Sequence, residues 1–182
     1  MKKLFSIVFL LVFIISCTCN EEEVGRNMIT NSNLEYCTSQ ANSFTFYNNN
    51  SEIFTANFSG KKLFLQRSNV NPESCNYTVN QYAEEDINIG NYNGKIRIDN
   101  TAIGITIENG QFSNELVLGI NSHTIDDNLQ DISINGFNFE DVLVIENNGR
   151  ATPFNITKII YSKTNGIEFI LFEDGTWYKR VE

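Results

Sequence analysis

The chain has 182 residues, with 13 basic and 22 acidic side chains and a formal net charge of −9. Such a balance excludes a surface that grips nucleic acid and argues against electrostatic attachment to anionic lipid headgroups. At this length one domain with a continuous core is the default, burying about 68–70% of the surface that the unfolded chain exposes.

The chain opens with Lys2 and Lys3, then an apolar run from Leu4 to Ile15 broken only by Ser6. A span across a bilayer needs about 20 apolar residues, so this shorter run after a basic start predicts an export signal. Its end, Ile14-Ile15-Ser16-Cys17, resembles the lipobox of bacterial lipoproteins. That resemblance implies that residues 1–16 are cut away and that Cys17 becomes the first residue, diacylated on sulfur and usually acylated on its amine. Taking Cys19 instead would put Thr18 before the cysteine and Cys17 inside the motif, a poorer match. Loss of Lys2 and Lys3, with no acid among residues 1–16, leaves 11 basic and 22 acidic groups and a net charge of −11. Membrane attachment then comes from acyl chains, each buried CH₂ contributing about 0.8 kcal/mol.

Thr18 to about Asn33 is polar and without sustained period, and with Cys17 it reads as a lipidated, flexible tether over residues 17–33. Its cluster Glu21-Glu22-Glu23 is either a solvated spacer or, by resemblance, the acidic signal that sends some Bacteroidota lipoproteins to the outer face of the outer membrane. The expected location is the cell envelope, lipid-anchored at the outer membrane, with the periplasmic and surface faces both open.

Residues 34–182 read as one all-β domain. From Ser43 onward short apolar runs alternate with period 2, most clearly in Lys95–Asp99 and Ala102–Glu108, where Ile96 and Ile98, then Ile103, Ile105 and Ile107, fall on one face. Asn-Gly pairs at 93–94, 109–110, 135–136, 148–149 and 165–166, with Asp174-Gly175, are hairpin signals. No segment between strands has the length and period of a crossover helix, which argues against a parallel α/β sheet. The fold class is therefore an antiparallel meander closed as a β-barrel or as a two-sheet sandwich.

In an oxidising compartment Cys19, Cys37 and Cys75 allow three pairings, and Cys37–Cys75 is the favoured disulfide because Cys19 lies in the tether. Catalytic signals are weak. His123, the one histidine, would need Ser122 or Ser133 as nucleophile and Asp126 or Asp127 as its orienting acid, and no GxSxG elbow accompanies it. There is no HExxH, and no set of Cys and His suited to zinc. Asp126, Asn128 and Asp131, beside Asp127, offer oxygen donors to calcium without the EF-hand spacing, a weak candidate metal site. Glu84-Glu85-Asp86 and Glu140-Asp141 are adjacent carboxylates, but strand neighbours point to opposite faces and so do not flank one substrate. No phosphate-cradling glycine loop is present and no cofactor is expected. The aromatics, among them Phe44, Phe46, Phe54, Phe58, Phe64, Phe169 and Trp177, read chiefly as core, a minority being available for a cavity or a glycan-stacking platform.

The C-terminal stretch Ile156–Glu182 carries Tyr161-Ser162-Lys163-Thr164-Asn165-Gly166, then Asp174-Gly175 and Trp177. It resembles a terminal hairpin that recurs in uncharacterised Bacteroidota lipoproteins, with Gly136–Asn147 similar to the strand placed before it. The resemblance implies a closed antiparallel β domain and no activity. Together these features lead to the expectation of a non-enzymatic binding or interaction module, held to the membrane through Cys17, with a protein, glycan or lipid partner. The alternative is a carrier that holds a lipid or other apolar ligand in a lipocalin-like or half-barrel cavity.

Overall fold

The computed structural model describes residues 21–71, 75–120, 124–147 and 155–181. Its elements, in chain order, are β1 (Glu22–Asn27), α1 (Asn31–Leu34), β2 (Asn42–Asn48), β3 (Ile53–Phe58), β4 (Lys62–Asn69), β5 (Asn76–Ile89), β6 (Tyr92–Ile98), β7 (Ala102–Glu108), β8 (Ser113–Gly119), a 3-10 turn (Ile125–Asn128), β9 (Gln130–Ile134), β10 (Phe137–Glu146), β11 (Ile156–Ser162), β12 (Gly166–Phe172) and β13 (Trp177–Arg180). By its contacts the chain divides into two compact units, unit 1 comprising Met1–Asn27 with Arg67–Asn80 and unit 2 comprising Met28–Gln66 with Gln81–Glu182.

Unit 2 is an antiparallel meander in the order β8-β7-β6-β5-β3-β2-β13-β12-β11-β10-β9. The sheet is strongly curled into a half-barrel, which brings β8 against β10. One continuous curled sheet thus takes the place of two packed ones.

Alternation decides which face is inside. Ile96 and Ile98 on β6, Ile103, Ile105 and Ile107 on β7 and Leu116 on β8 each keep no more than 2% of their surface exposed. The register sets Ile96 opposite Ile105 and Ile98 opposite Ile103, so the β-branched side chains stack across the ladder. They join Phe46, Ala56, Phe58, Ile145, Ile159 and Ile167 in one apolar cluster.

The concave side is also packed by the segment before β2. Thr30 caps α1 by accepting from the Asn33 amide at 3.3 Å. Ile29, Tyr36 and Cys37 are buried in the same cluster as the isoleucines. Asn33 has no exposed surface, and its Oδ1 accepts from the Ile125 amide at 3.2 Å. Its Nδ2 donates to Asn100 Oδ1 at 3.4 Å. Much of the span read as tether is therefore structured as β1 and α1. Four helical residues carry too little period to be visible in a sequence, and their order comes from partners about 70–90 positions away along the chain.

Two hairpins, β5–β6 and β9–β10, close with two-residue loops, and only one of them does so at an Asn-Gly pair. Asn135 (φ 50°) and Gly136 (φ 83°) join β9 to β10 with the positive φ values that a type I′ turn demands. Gly110, Gly166 and Gly175 also have positive φ at their turns. Asn93-Gly94 does not turn. It lies within β6, and the β5–β6 turn is Gly90-Asn91, with Gly90 at φ 59°. Asn148-Gly149 lies outside the described residues.

A second, smaller cluster explains why β11 and β12 are apolar on both faces. Phe139, Val142, Ile160 and Phe169 are buried together, with Phe137 and Trp177 packed against them. A bulge between Phe139 and Val142, where Asp141 has φ 51°, breaks the alternation of β10. Phe137 and Phe139 there reach Phe169, with ring centroids 6.0 and 5.8 Å away.

In unit 1, β1 runs parallel to the start of β5, from Glu22 opposite Asn76 to Asn27 opposite Asn80. β1 falls in the span read as tether, so this parallel pair leaves the antiparallel meander expected of residues 34–182 standing. The Arg67 guanidinium lies 4.6 Å over the Tyr77 ring, and Arg26 pairs with Glu23 at 2.9 Å. The expected Cys37–Cys75 bridge is not made, because Cys37 is a free thiol turned into the apolar cluster of unit 2 and Cys75 is disulfide-bonded elsewhere.

Gly94 gives the fold a sensitive point. A Cβ there would stand 2.2 Å from the Thr106 carbonyl oxygen and 3.1 Å from the Ile87 side chain. Gly94→Ala is expected to force β6 off β7 and cost about 1–3 kcal/mol, read as a lowered urea midpoint.

Candidate functional site

The outward side chains of the same ladders are those left by the isoleucine alternation. β6 presents Lys95 and Arg97, β7 presents Ala102, Gly104 and Thr106, and β8 presents Glu115 and Val117. The register aligns Glu84, Arg97, Gly104 and Val117 in one row and Asp86, Lys95, Thr106 and Glu115 in the next. Because Gly104 has no side chain, the first row sinks at its centre. The result is a groove of about 430 Å³ lined from these strands, with Glu84 and Asp99 at its rim. That volume lies within the range of about 300–1,000 Å³ usual for small-ligand sites.

The cations of the groove are held in place. Arg97 lies 3.8 Å over the Tyr82 ring, and its Nη2 donates to Gln66 Oε1 at 3.0 Å. Tyr82 in turn stacks on Phe64, with centroids 5.4 Å apart. A guanidinium fixed by a ring and an amide loses little freedom when it binds a further group. Lys95 Nζ donates to Glu84 Oε2 at 3.0 Å, and this carboxylate holds the ammonium above the usual lysine range. The groove therefore offers fixed donors, carboxylate acceptors, the Thr106 hydroxyl and the exposed Val117. These groups suit a polar, hydroxylated ligand better than an apolar one.

The acidic triplet on β5 divides by face. Glu84 and Asp86 point outward, Asp86 pairing with Lys62 at 2.9 Å, which lowers its pKa. Glu85 is 1% exposed and turned inward. It accepts from the Thr38 hydroxyl, from the Thr38 amide at 3.3 Å and from the Gly60 amide, and burial nevertheless pushes its pKa up. It clasps the segment after α1 to the β3–β4 turn. Beside it, burial raises the Cys37 thiol to about 12, which makes it an unreactive, small apolar side chain.

Of the residues singled out in the sequence, Cys17, Cys19, Ser122 and His123 lie outside the described residues. The calcium candidates do not converge. Asp126 accepts from Tyr36 Oη at 2.6 Å and from Lys163 at 3.2 Å, and these partners lower its pKa. Asn128 Nδ2 donates to the Ile125 carbonyl at 3.3 Å, and Asp131 accepts from the Asp141 amide at 3.1 Å. Among the described residues no group of three or more His, Cys, Asp or Glu is placed to hold a metal ion. Ser133 donates to Asn138 at 2.6 Å on the surface. Glu140 and Asp141 are both exposed, side by side at the bulge. Arg97, Gly104, Thr106 and Tyr82 were not singled out, although a glycine at an outward strand position among charged neighbours is a usable signal of close approach by a ligand.

No family model matches the chain, and no solved structure matches it. A protein described as non-toxic nonhemagglutinin, from Paraclostridium bifermentans, is 39% identical over 70 residues. The match covers 37% of this chain and 6% of that protein, so the chain spans a small fraction of its relative's length.

The inward carboxylate sets a pH dependence. Glu85 has a folded pKa above its ordinary 4.5, so its contribution to stability is fully present below that value and is lost as pH rises through the folded value. In Glu85→Gln that loss should vanish. Urea midpoints measured from pH 4 to 8 are expected to show the wild type losing ground to the variant as pH rises.

Proposed function

We propose that this protein is a non-enzymatic binding module of the cell envelope, anchored through lipid on Cys17, and that its binding surface is the groove over β5 to β8. The observation that carries this reading is the depression at Gly104, with the immobilised Arg97 and then Glu84 on one side and Val117 and Glu115 of β8 on the other. The ligand class that fits is a hydroxylated polar molecule of one or two rings, such as a sugar unit, bridged by carboxylates and a planar guanidinium.

The curl of the sheet favours the carrier reading in outline. What weighs against it is that Phe46, Ile96, Ile98, Ile103, Ile105, Leu143, Ile145, Ile159 and Ile167 have no accessible surface, so no water-sized space adjoins them. A net charge of −9 gives the chain no attraction to anionic headgroups, so on this reading attachment rests on the lipid at Cys17.

Two experiments test this reading. Cys17→Ala is expected to abolish uptake of labelled fatty acid and to move the protein from the membrane to the soluble fraction; unchanged partitioning would refute the anchor. For the groove, Gly104→Val fills open space, the nearest group to a new Cβ being Val117 Cγ2 at 3.8 Å. On a glycan array the variant should bind at least about tenfold more weakly than wild type, equivalent to about 1.4 kcal/mol, with the same urea midpoint. Equal binding by both proteins, or none by either, would remove the groove as the site.

A further inference from the structure

The register sets Glu84 of β5 directly opposite Arg97 of β6, the position at which opposite charges stabilise a cross-strand pair. No such pair is made. Glu84 Oε2 turns along the strand and accepts from Lys95 Nζ at 3.0 Å. Arg97 is held by neutral groups instead, its guanidinium 3.8 Å over the Tyr82 ring and its Nη2 donating to Gln66 Oε1 at 3.0 Å. Among the described residues no carboxylate pairs with it, and its other N–H groups have no partner. Two contacts thus fix the position of this guanidinium and neither neutralises its charge. Such a group is preorganised for an oxyanion, which a planar fork of N–H donors grips at two points.

The rest of the lining divides into engaged and free groups. Asp99 Oδ1 accepts from the Thr101 amide and hydroxyl, each at 2.7 Å, and from the Ala102 amide at 3.0 Å. Glu115, exposed on β8, has no partner among the described residues, and the same holds for the hydroxyl of Thr106 opposite it. Arg97 and Glu115 stand on opposite sides of β7, flanking the Gly104 depression, with Val117 exposed beside Glu115. A strand spacing of about 4.8 Å puts β6 and β8 about 10 Å apart, so the two side chains converge on a single ring lying over Gly104.

We propose that the groove selects acidic sugars over neutral ones, Arg97 setting the preference by gripping a carboxylate or sulfate on the ring while Glu115 and Thr106 take its hydroxyls. The proposal rests on the groove being the binding surface. A neutral sugar would satisfy the hydroxyl side alone and leave the fixed cation without a counterpart. The mixed charge of the lining follows from the same division of labour. Lys95 occupies Glu84, so the carboxylate that faces Arg97 does not compete with the ligand for it. Glu115 lies across the depression, where a carboxylate is the strongest acceptor for hydroxyl groups.

The test titrates full-length protein by calorimetry with oligosaccharides in matched sets, each set holding a neutral hexose form, its uronate form and its sulfated form with the same stereochemistry and linkage. Wild type is expected to bind one acidic form at least about tenfold more tightly than its neutral counterpart, the size of effect that a charge-assisted hydrogen bond supplies. Whether the uronate or the sulfated form is preferred identifies the oxyanion. Arg97→Gln should abolish the preference, acidic and neutral forms then binding with equal affinity, at an unchanged urea midpoint. Equal binding of neutral and acidic forms by wild type, or a preference for acid that survives in Arg97→Gln, overturns the proposal. If Gly104→Val still abolishes binding in that case, the groove reading stands by itself. Binding of no set, or binding that Gly104→Val leaves untouched, overturns both.

Discussion

The concave face of β6 and β7 has to be covered, and the rest of unit 2 is arranged around that requirement. Five isoleucines stand on one side of two adjacent strands, and none keeps more than 2% of its surface exposed. A flat sheet would leave them wet. Curling brings the far strands over part of that face, and the segment from Ile29 to Cys37 fills more of it. The polar cost of burying that segment is met locally, Asn33 and Glu85 each finding donors on loops distant in sequence.

The same alternation that fills the inside furnishes the outside. Each inward isoleucine is flanked by outward residues that the core does not constrain, and at these positions the sequence places Lys95, Arg97, Gly104 and Thr106. The groove is thus a by-product of strand geometry made specific by one missing side chain and by a row of ring, guanidinium and amide that holds Arg97 still. Its charges are of both signs, so it presents fixed hydrogen-bond geometry more than a long-range field.

The strands were legible because period 2 is a local property: Ile96 and Ile98 can be assigned to one face from five letters. Turn chemistry was legible for the same reason at Asn135-Gly136, where backbone conformation follows from the residues themselves. It misled at Asn93-Gly94, because there glycine answers a neighbour, the Thr106 carbonyl, that becomes adjacent only in the folded sheet. The curl into a half-barrel, the burial of Tyr36 and Cys37 and the inward turn of Glu85 depend on pairings across long stretches of chain. The Cys37–Cys75 expectation failed for this reason, since distance along the chain does not show which cysteine faces a core. The groove was hidden differently. Its residues are ordinary surface letters, and only the register puts them side by side.

The pairing of β13 with β2, Lys179 opposite Tyr47 and Arg180 opposite Phe46, bears on how the molecule is made. These partners are separated by most of the chain, so the sheet has two loose edges, on β2 and on β12, for as long as β13 has not emerged. Synthesis from the N-terminus cannot complete unit 2 in stages. Local hairpins can pair as they are made, but the two halves of the sheet are joined only when its last strand is present. A product that stopped short of Trp177 would carry two open strand edges and invite pairing with its neighbours.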